Sequence, residues 1–178
     1  MRIVSGSHKG RVVRPGKFFS DRPTTDIAKE GLFNILNNTI DFEDLNVLDL
    51  FAGSGNITYE FASRGAASIL SVEMNFKYVQ FINNTIADLG FSNIKVQKSD
   101  VFRFIKSNKK QYDLVFADPP YAMVKLPDLP DLVCNTNMIA PGGLFILEHP
   151  QQHNFSSHPF FQSLRKYGTV HFSFFQIS

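Results

Sequence analysis

The sequence predicts an α/β fold: a mostly parallel, seven-stranded sheet with helices on both faces, preceded by a short N-terminal β-hairpin. Three observations lead there. Segments of strand-like composition alternate with segments of helical periodicity from Asn46 to His149. The strand segments, such as "NVLDLF" and "YDLVFAD", are nearly unbroken apolar runs, as strands covered on both faces require. At 178 residues the chain is also long enough to bury one sizeable core without staples.

Taken in order, residues 2–5 and 10–14 are short apolar–basic runs separated by "GSHKG", a hairpin pattern. The turn-forming loop "RPGKFFSDRP" follows. From Thr24 or Thr25, both natural N-caps, "DIAKEGLFNILNN" repeats apolar groups at helical spacing. "NVLDLF" reads as a strand, "NITYEFASRG" as a helix stopped by Gly65, and "ASILSVE" as a strand. "NFKYVQFINNTIADLG" is a helix closed by its glycine. "NIKVQ" is a strand, "VFRFIKSN" a helix, "YDLVFAD" a strand and "LPDLVCNTNMI" helical. "PGG" reads as a turn before the strand "LFILEH", and "KYGTVHFSFFQI" as two strands that can pair as an antiparallel edge. Residues 1–23 are expected to form a basic arm and 24–178 a compact domain.

The charge is unevenly spread. Residues 1–30 carry seven basic groups against three acidic, and the remainder eleven against thirteen. A basic arm on a mildly acidic body suits a polyanion-binding protein. A single cysteine, Cys134, excludes an internal disulfide and points to a reducing compartment. The opening "MRIVSGSHKGRVVRPG" has no apolar run long enough for a signal peptide or membrane span, so a cytoplasmic protein without membrane contact is expected.

In open parallel sheets, ligands sit at the carboxyl ends of the strands. The first strand delivers "LDLFAGSG", where Gly53 and Gly55 permit a tight turn and close approach to bare backbone. Asp49 precedes them, and a carboxylate there would repel phosphates but suits a cationic ligand. The second strand ends at Glu73, 24 residues after Asp49, a spacing suited to a ribose diol. The third is followed by Ser99 and Asp100, an acceptor for an adenine amino group. Phe51, Val101 and Phe102 are placed to pack around that adenine. Acids at three successive strand ends describe a positively charged nucleoside. S-adenosylmethionine fits; NAD and ATP fit poorly.

The fourth strand ends in "DPPY". Exocyclic amino groups of nucleobases are poor nucleophiles, because their lone pair is delocalised into the ring. Two fixed acceptors, one for each N–H, push such a nitrogen towards sp³ and aim its lone pair. The Asp118 carboxylate and the Pro119 carbonyl, stiffened by Pro120, could supply both acceptors. Tyr121 offers a face on which a flipped-out base can stack.

These segments together resemble a known family. "VLDLFAGSG", "VE", "SD" and "DPPY" are similar to the motifs of class I S-adenosylmethionine-dependent methyltransferases with a Rossmann-like sheet. "RIVSGSHKGR" and "RPTTDIAKEGLFNIL", ahead of "DLFAGSG" and "DPPY", resemble the RsmD family, bacterial enzymes that methylate N2 of a guanine in 16S ribosomal RNA. The resemblance runs from Met1 to about His149 and is looser in the tail. It implies that Asp49, Gly53 and Gly55 line the cofactor loop, Glu73 holds the ribose and Asp100 the adenine. Asp118 to Tyr121 would hold the target amino group, and the basic arm would grip the RNA of the small ribosomal subunit or of its assembly intermediate.

Lys9, Arg11 and Arg14 are accordingly expected on RNA phosphates. Arg22 and Thr25 are expected on the cofactor carboxylate or on an RNA phosphate. The five histidines show no ligand spacing with Cys134 or with paired acids, so no metal is expected, and a monomer is. Two rivals share parts of this pattern. A DNA adenine-N6 methyltransferase uses the same amino-group chemistry, but usually carries a separate target-recognition region. A non-catalytic RNA-binding or assembly factor could retain the fold, although intact "DPPY" and cofactor acids argue against it.

Overall fold

A computed structural model describes residues 1–16 and 25–177; Arg22 and Thr24, singled out above, lie outside the described residues. Helix α1 covers Asp26–Asn37, and the Thr25 hydroxyl caps it by accepting from the Ala28 amide at 3.2 Å. Five strands then alternate with four helices: β1 (Asn46–Leu50), α2 (Asn56–Ser63), β2 (Ser68–Glu73), α3 (Phe76–Leu89), β3 (Ile94–Lys98), α4 (Val101–Ser107), β4 (Tyr112–Ala117), α5 (Leu129–Cys134) and β5 (Ile139–Pro150). A hairpin of β6 (Phe161–Tyr167) and β7 (Val170–Gln176) ends the sheet.

The seven strands lie in the order β3-β2-β1-β4-β5-β7-β6. The first five are parallel, and β7 runs antiparallel to both β5 and β6. Alternate side chains of each strand feed two separate cores. Val47, Leu114, Phe116 and Phe172 pack under α1, α2 and α3, whereas Leu48, Val115, Ala117 and Phe145 pack under α4 and α5. Burial on both faces is why these strands read as continuous apolar runs.

Two elements depart from the sequence reading. The "PGG" stretch is not a separate turn but part of β5. Its register against β4 jumps from Tyr112↔Ile139 to Leu114↔Leu144, so the extra residues bulge while pairing resumes on both sides. Gly142, at φ +76°, permits that bulge. The N-terminal hairpin forms but is shorter than expected: backbone hydrogen bonds join Met1 to Val13 and Ile3 to Gly10 and Arg11 around a bridge between Arg2 and Val12, and pairing stops at Val4. The reason is competition: the Val4 and Ser5 amides turn away to the buried Glu60 carboxylate, at 2.8 and 3.1 Å.

That carboxylate also receives Arg64 at 2.9 Å and faces the buried Lys29 ammonium at 3.7 Å. The arm, α1 and α2 are therefore tied at one buried point. Burial lowers the Lys29 pKa, and the Glu60 charge opposes that shift. Among the described residues, no helix is long and apolar enough to cross a membrane.

Candidate active site

β1 and β4 are neighbours whose following helices lie on opposite faces of the sheet, which opens a crevice at their carboxyl ends. A cleft of about 680 Å³ occupies it. Asp49, Phe51, Gly53, Glu73, Asp100, Val101, Phe102, Asp118, Pro119 and Tyr121 all line it, and Thr25 joins them at the start of α1. The structure thus gathers residues from four strand ends into one space.

The glycine loop is held under tension. Phe51 has φ +60°, the one positive value outside glycine among the described residues, which costs roughly 1–3 kcal/mol. Hydrogen bonds to β2 hold it there: the Ala52 amide donates to the Val72 carbonyl at 3.0 Å, and the Gly53 amide to Glu73 Oε2 at 2.9 Å. A side-chain carbon on Gly53 would meet no atom closer than the Phe51 carbonyl at 3.9 Å, so open cleft lies above this backbone. Gly55 plays a different part. It does not line the cleft, and at φ +83° it caps α2 where a Cβ would strike the Tyr59 ring at 2.5 Å.

Asp49 is buried near the carboxyl end of β1. Its Oδ2 accepts from the Thr58 hydroxyl at 2.5 Å, and Thr58 in turn accepts from Ser71 at 2.7 Å. Burial pushes the carboxyl up to about 7; the Thr58 hydrogen bond opposes the rise and the Glu73 charge adds to it. Glu73 is itself anchored, since its other oxygen accepts from the Asn75 amide at 2.7 Å. One oxygen of Asp100 caps α4 through the Arg103 amide at 2.9 Å. Phe51 and Phe102 meet edge to face at 6.4 Å.

The charges of the lining residues bear on the kind of ligand the cleft suits. They include five carboxylates, from Asp49, Glu73, Asp100, Asp118 and Glu148, and no lysine or arginine among the described residues. Acids at these positions favour a cation-bearing nucleoside. S-adenosylmethionine fits them: Asp49 would face the positive end, Glu73 the ribose and Asp100 the base.

On the chemical side, the Met123 amide donates to the Pro120 carbonyl at 2.8 Å and closes a turn just after the prolines. The Pro119 carbonyl receives no such bond among the described residues. Tyr121 is 39% exposed, and its hydroxyl donates to Glu148 Oε1 at 3.1 Å. Glu148, only 3% exposed, is a cleft residue that sequence reasoning missed. An acid at a strand end carries no distinguishing signal, and its partner Tyr121 stands 27 residues away. His149, its neighbour, points to the other face. It donates from Nδ1 to the Pro150 carbonyl and accepts at Nε2 from Ser173.

Lys9, Arg11 and Arg14 are not brought to the cleft. His8, beside Lys9, donates from Nε2 to the Leu89 carbonyl at the far end of α3. That helix is 14 residues long and starts at the cleft, so the arm's tip sits about 20 Å below it.

The family described as conserved hypothetical protein 95 matches residues 1–176. The chain is similar to the Bacillus subtilis protein YlbH, with 34% identity over 85% of this chain and 84% of that protein. It is similar also to ribosomal RNA small subunit methyltransferase D of Escherichia coli (strain K12), with 31% identity over 93% of this chain and 83% of the other. Among solved structures, the Escherichia coli protein yhhF is 29% identical with a TM-score of 0.85, covering 100% of this chain and 98% of its own.

Proposed function

Since the chain belongs to the conserved hypothetical protein 95 family, the family of the RsmD ribosomal RNA methyltransferases, we propose that it methylates the exocyclic N2 of a guanine in small-subunit ribosomal RNA. The observation that carries this reading is the shared cleft, in which the cofactor acids and the "DPPY" turn face one space.

S-adenosylmethionine, when bound, supplies the methyl group from its sulfonium sulfur. The protein's own residues do the rest. Asp118 and the Pro119 carbonyl each accept one N–H of the target amino group and turn its lone pair towards the cofactor end of the cleft. As the N–C bond forms and the C–S bond breaks, positive charge grows on the nitrogen, and the Asp118 carboxylate stabilises it. The nitrogen then sheds one proton, for which Asp118 is the nearest carboxylate of that turn. Tyr121, its hydroxyl tethered to Glu148, holds its ring for a base drawn out of its stack. Positioning, rather than acid–base strength, supplies most of the acceleration.

The 16S ribosomal RNA and its small subunit are the partner in this reading. An arm whose tip lies about 20 Å from the cleft suits a substrate that extends well past the target base. Labelled methyl transfer to undermethylated small subunits, with the product mapped by mass, tests the proposal. Transfer to a guanine is expected, and Asp118→Ala should reduce it by about 10²- to 10³-fold. Methylation of an adenine, or full activity in Asp118→Ala, would overturn it.

A further inference from the structure

Asp118 and Glu148 stand side by side. The register of β4 with β5 runs to Phe116↔Ile146 and Ala117↔Leu147, and Asp118 and Glu148 are the next residues along the two neighbouring chains. Glu148 follows the parity of Ile146 within β5, and both Glu148 and Asp118 line the cleft. Glu148 is 3% exposed, and the Tyr121 hydroxyl fixes one of its oxygens at 3.1 Å. The mechanism above does not use its acceptor capacity.

Guanine offers three hydrogens in a row on its Watson–Crick edge: two on N2 and one on N1. Asp118 and the Pro119 carbonyl account for the two on N2. We infer that Glu148 takes the third, accepting N1–H, and that this carboxylate is what selects guanine. Adenine presents two hydrogens on its amino group but a bare lone pair at N1, which would face the Glu148 carboxylate with no proton between them. A buried acceptor meeting an acceptor is a strong ground for rejection. Glu148 is thus a specificity-determining residue, and Tyr121 positions it as well as offering a stacking face. This inference rests on the reading of the protein as a guanine-N2 methyltransferase.

The test compares guanine with 2-aminopurine, which keeps the N2 amino group but has no hydrogen on N1. Small subunits are reconstituted with either base at the mapped nucleotide, and kcat/KM for methyl transfer is measured on both. Wild-type protein should prefer guanine by about 10- to 100-fold. Glu148→Gln, whose amide can donate to a bare N1, should bring the ratio near unity. Glu148→Asp should retain the preference, and Tyr121→Phe, which keeps the stacking face but releases the Glu148 carboxylate, should lower the ratio. Equal transfer to both bases by wild-type protein would overturn the inference, even if Glu148→Gln failed to fold. So would a preference undiminished in Glu148→Gln, and in both cases methylation of ribosomal RNA itself would stand. Absence of any transfer to guanine subunits would instead overturn the parent reading, and this one with it.

Discussion

Burial pushes the Asp49 carboxyl up to about 7, with the Glu73 charge adding to the rise and the Thr58 hydroxyl opposing it. In the ligand-free protein the fold therefore prefers the neutral acid. Its contribution to stability is complete below about pH 4, the ordinary aspartate value, and is lost as pH rises through about 7. A cation bound beside Asp49 reverses that preference. Affinity for S-adenosylmethionine should rise with pH up to about 7 and then level off, with a proton released on binding below that point. Calorimetry in buffers of different ionisation enthalpy measures both, and Asp49→Asn should abolish the proton release and weaken binding. His149 works in the opposite sense. Burial lowers its pKa to about 4, so its stabilising contribution is present above about pH 6.5 and is lost as pH falls towards 4. Thermal unfolding of His149→Gln should lack that loss. Asp49 was legible in the sequence because a carboxylate just before a glycine turn contradicts phosphate binding. Glu148 was not, because only the pairing of β4 with β5 sets it beside Asp118.

At the scale of elements, the knot around Glu60 joins the arm to α1 and α2. Its carboxylate balances Lys29 and Arg64 and accepts two backbone amides, and both it and Lys29 are almost fully buried. Glu60→Ala would leave the Lys29 ammonium without its counter-charge and should destabilise the fold by roughly 3–5 kcal/mol in urea unfolding. The same change should loosen the arm, read as faster proteolysis between Arg2 and Arg14. The amphipathic pattern placed α2 correctly, but it could not show that Glu60 and Lys29 face inward, since charged residues on a helix are ordinarily solvated. The "PGG" bulge was illegible for a related reason. Its residues prefer a turn locally, and pairing of the flanking strand residues overrides that preference.

At the scale of the whole molecule, the tip of the arm lies at the ends of α2 and α3 remote from the cleft, so RNA binding there and methyl transfer should be separable. Neutralising Lys9, Arg11 and Arg14 together should weaken binding to small-subunit RNA and flatten its salt dependence, by roughly one slope unit or less per lost contact. It should leave S-adenosylmethionine affinity unchanged in calorimetry. An unchanged salt slope would place the RNA-binding surface elsewhere.

The order of strands and helices, the strand ends that bear chemistry and the type of cofactor followed from the chain itself. Periodicity, glycine placement and the sign of charge are local properties, and the sheet's topology carries them to a known edge. Which acids share a buried wall, which glycine lines the cleft and which packs against Tyr59, and where the basic arm docks were settled only by the folded chain. Those depend on contacts between residues far apart in sequence, such as Glu60 with Val4 or Tyr121 with Glu148, and such contacts exist only once the sheet has brought the strand ends together.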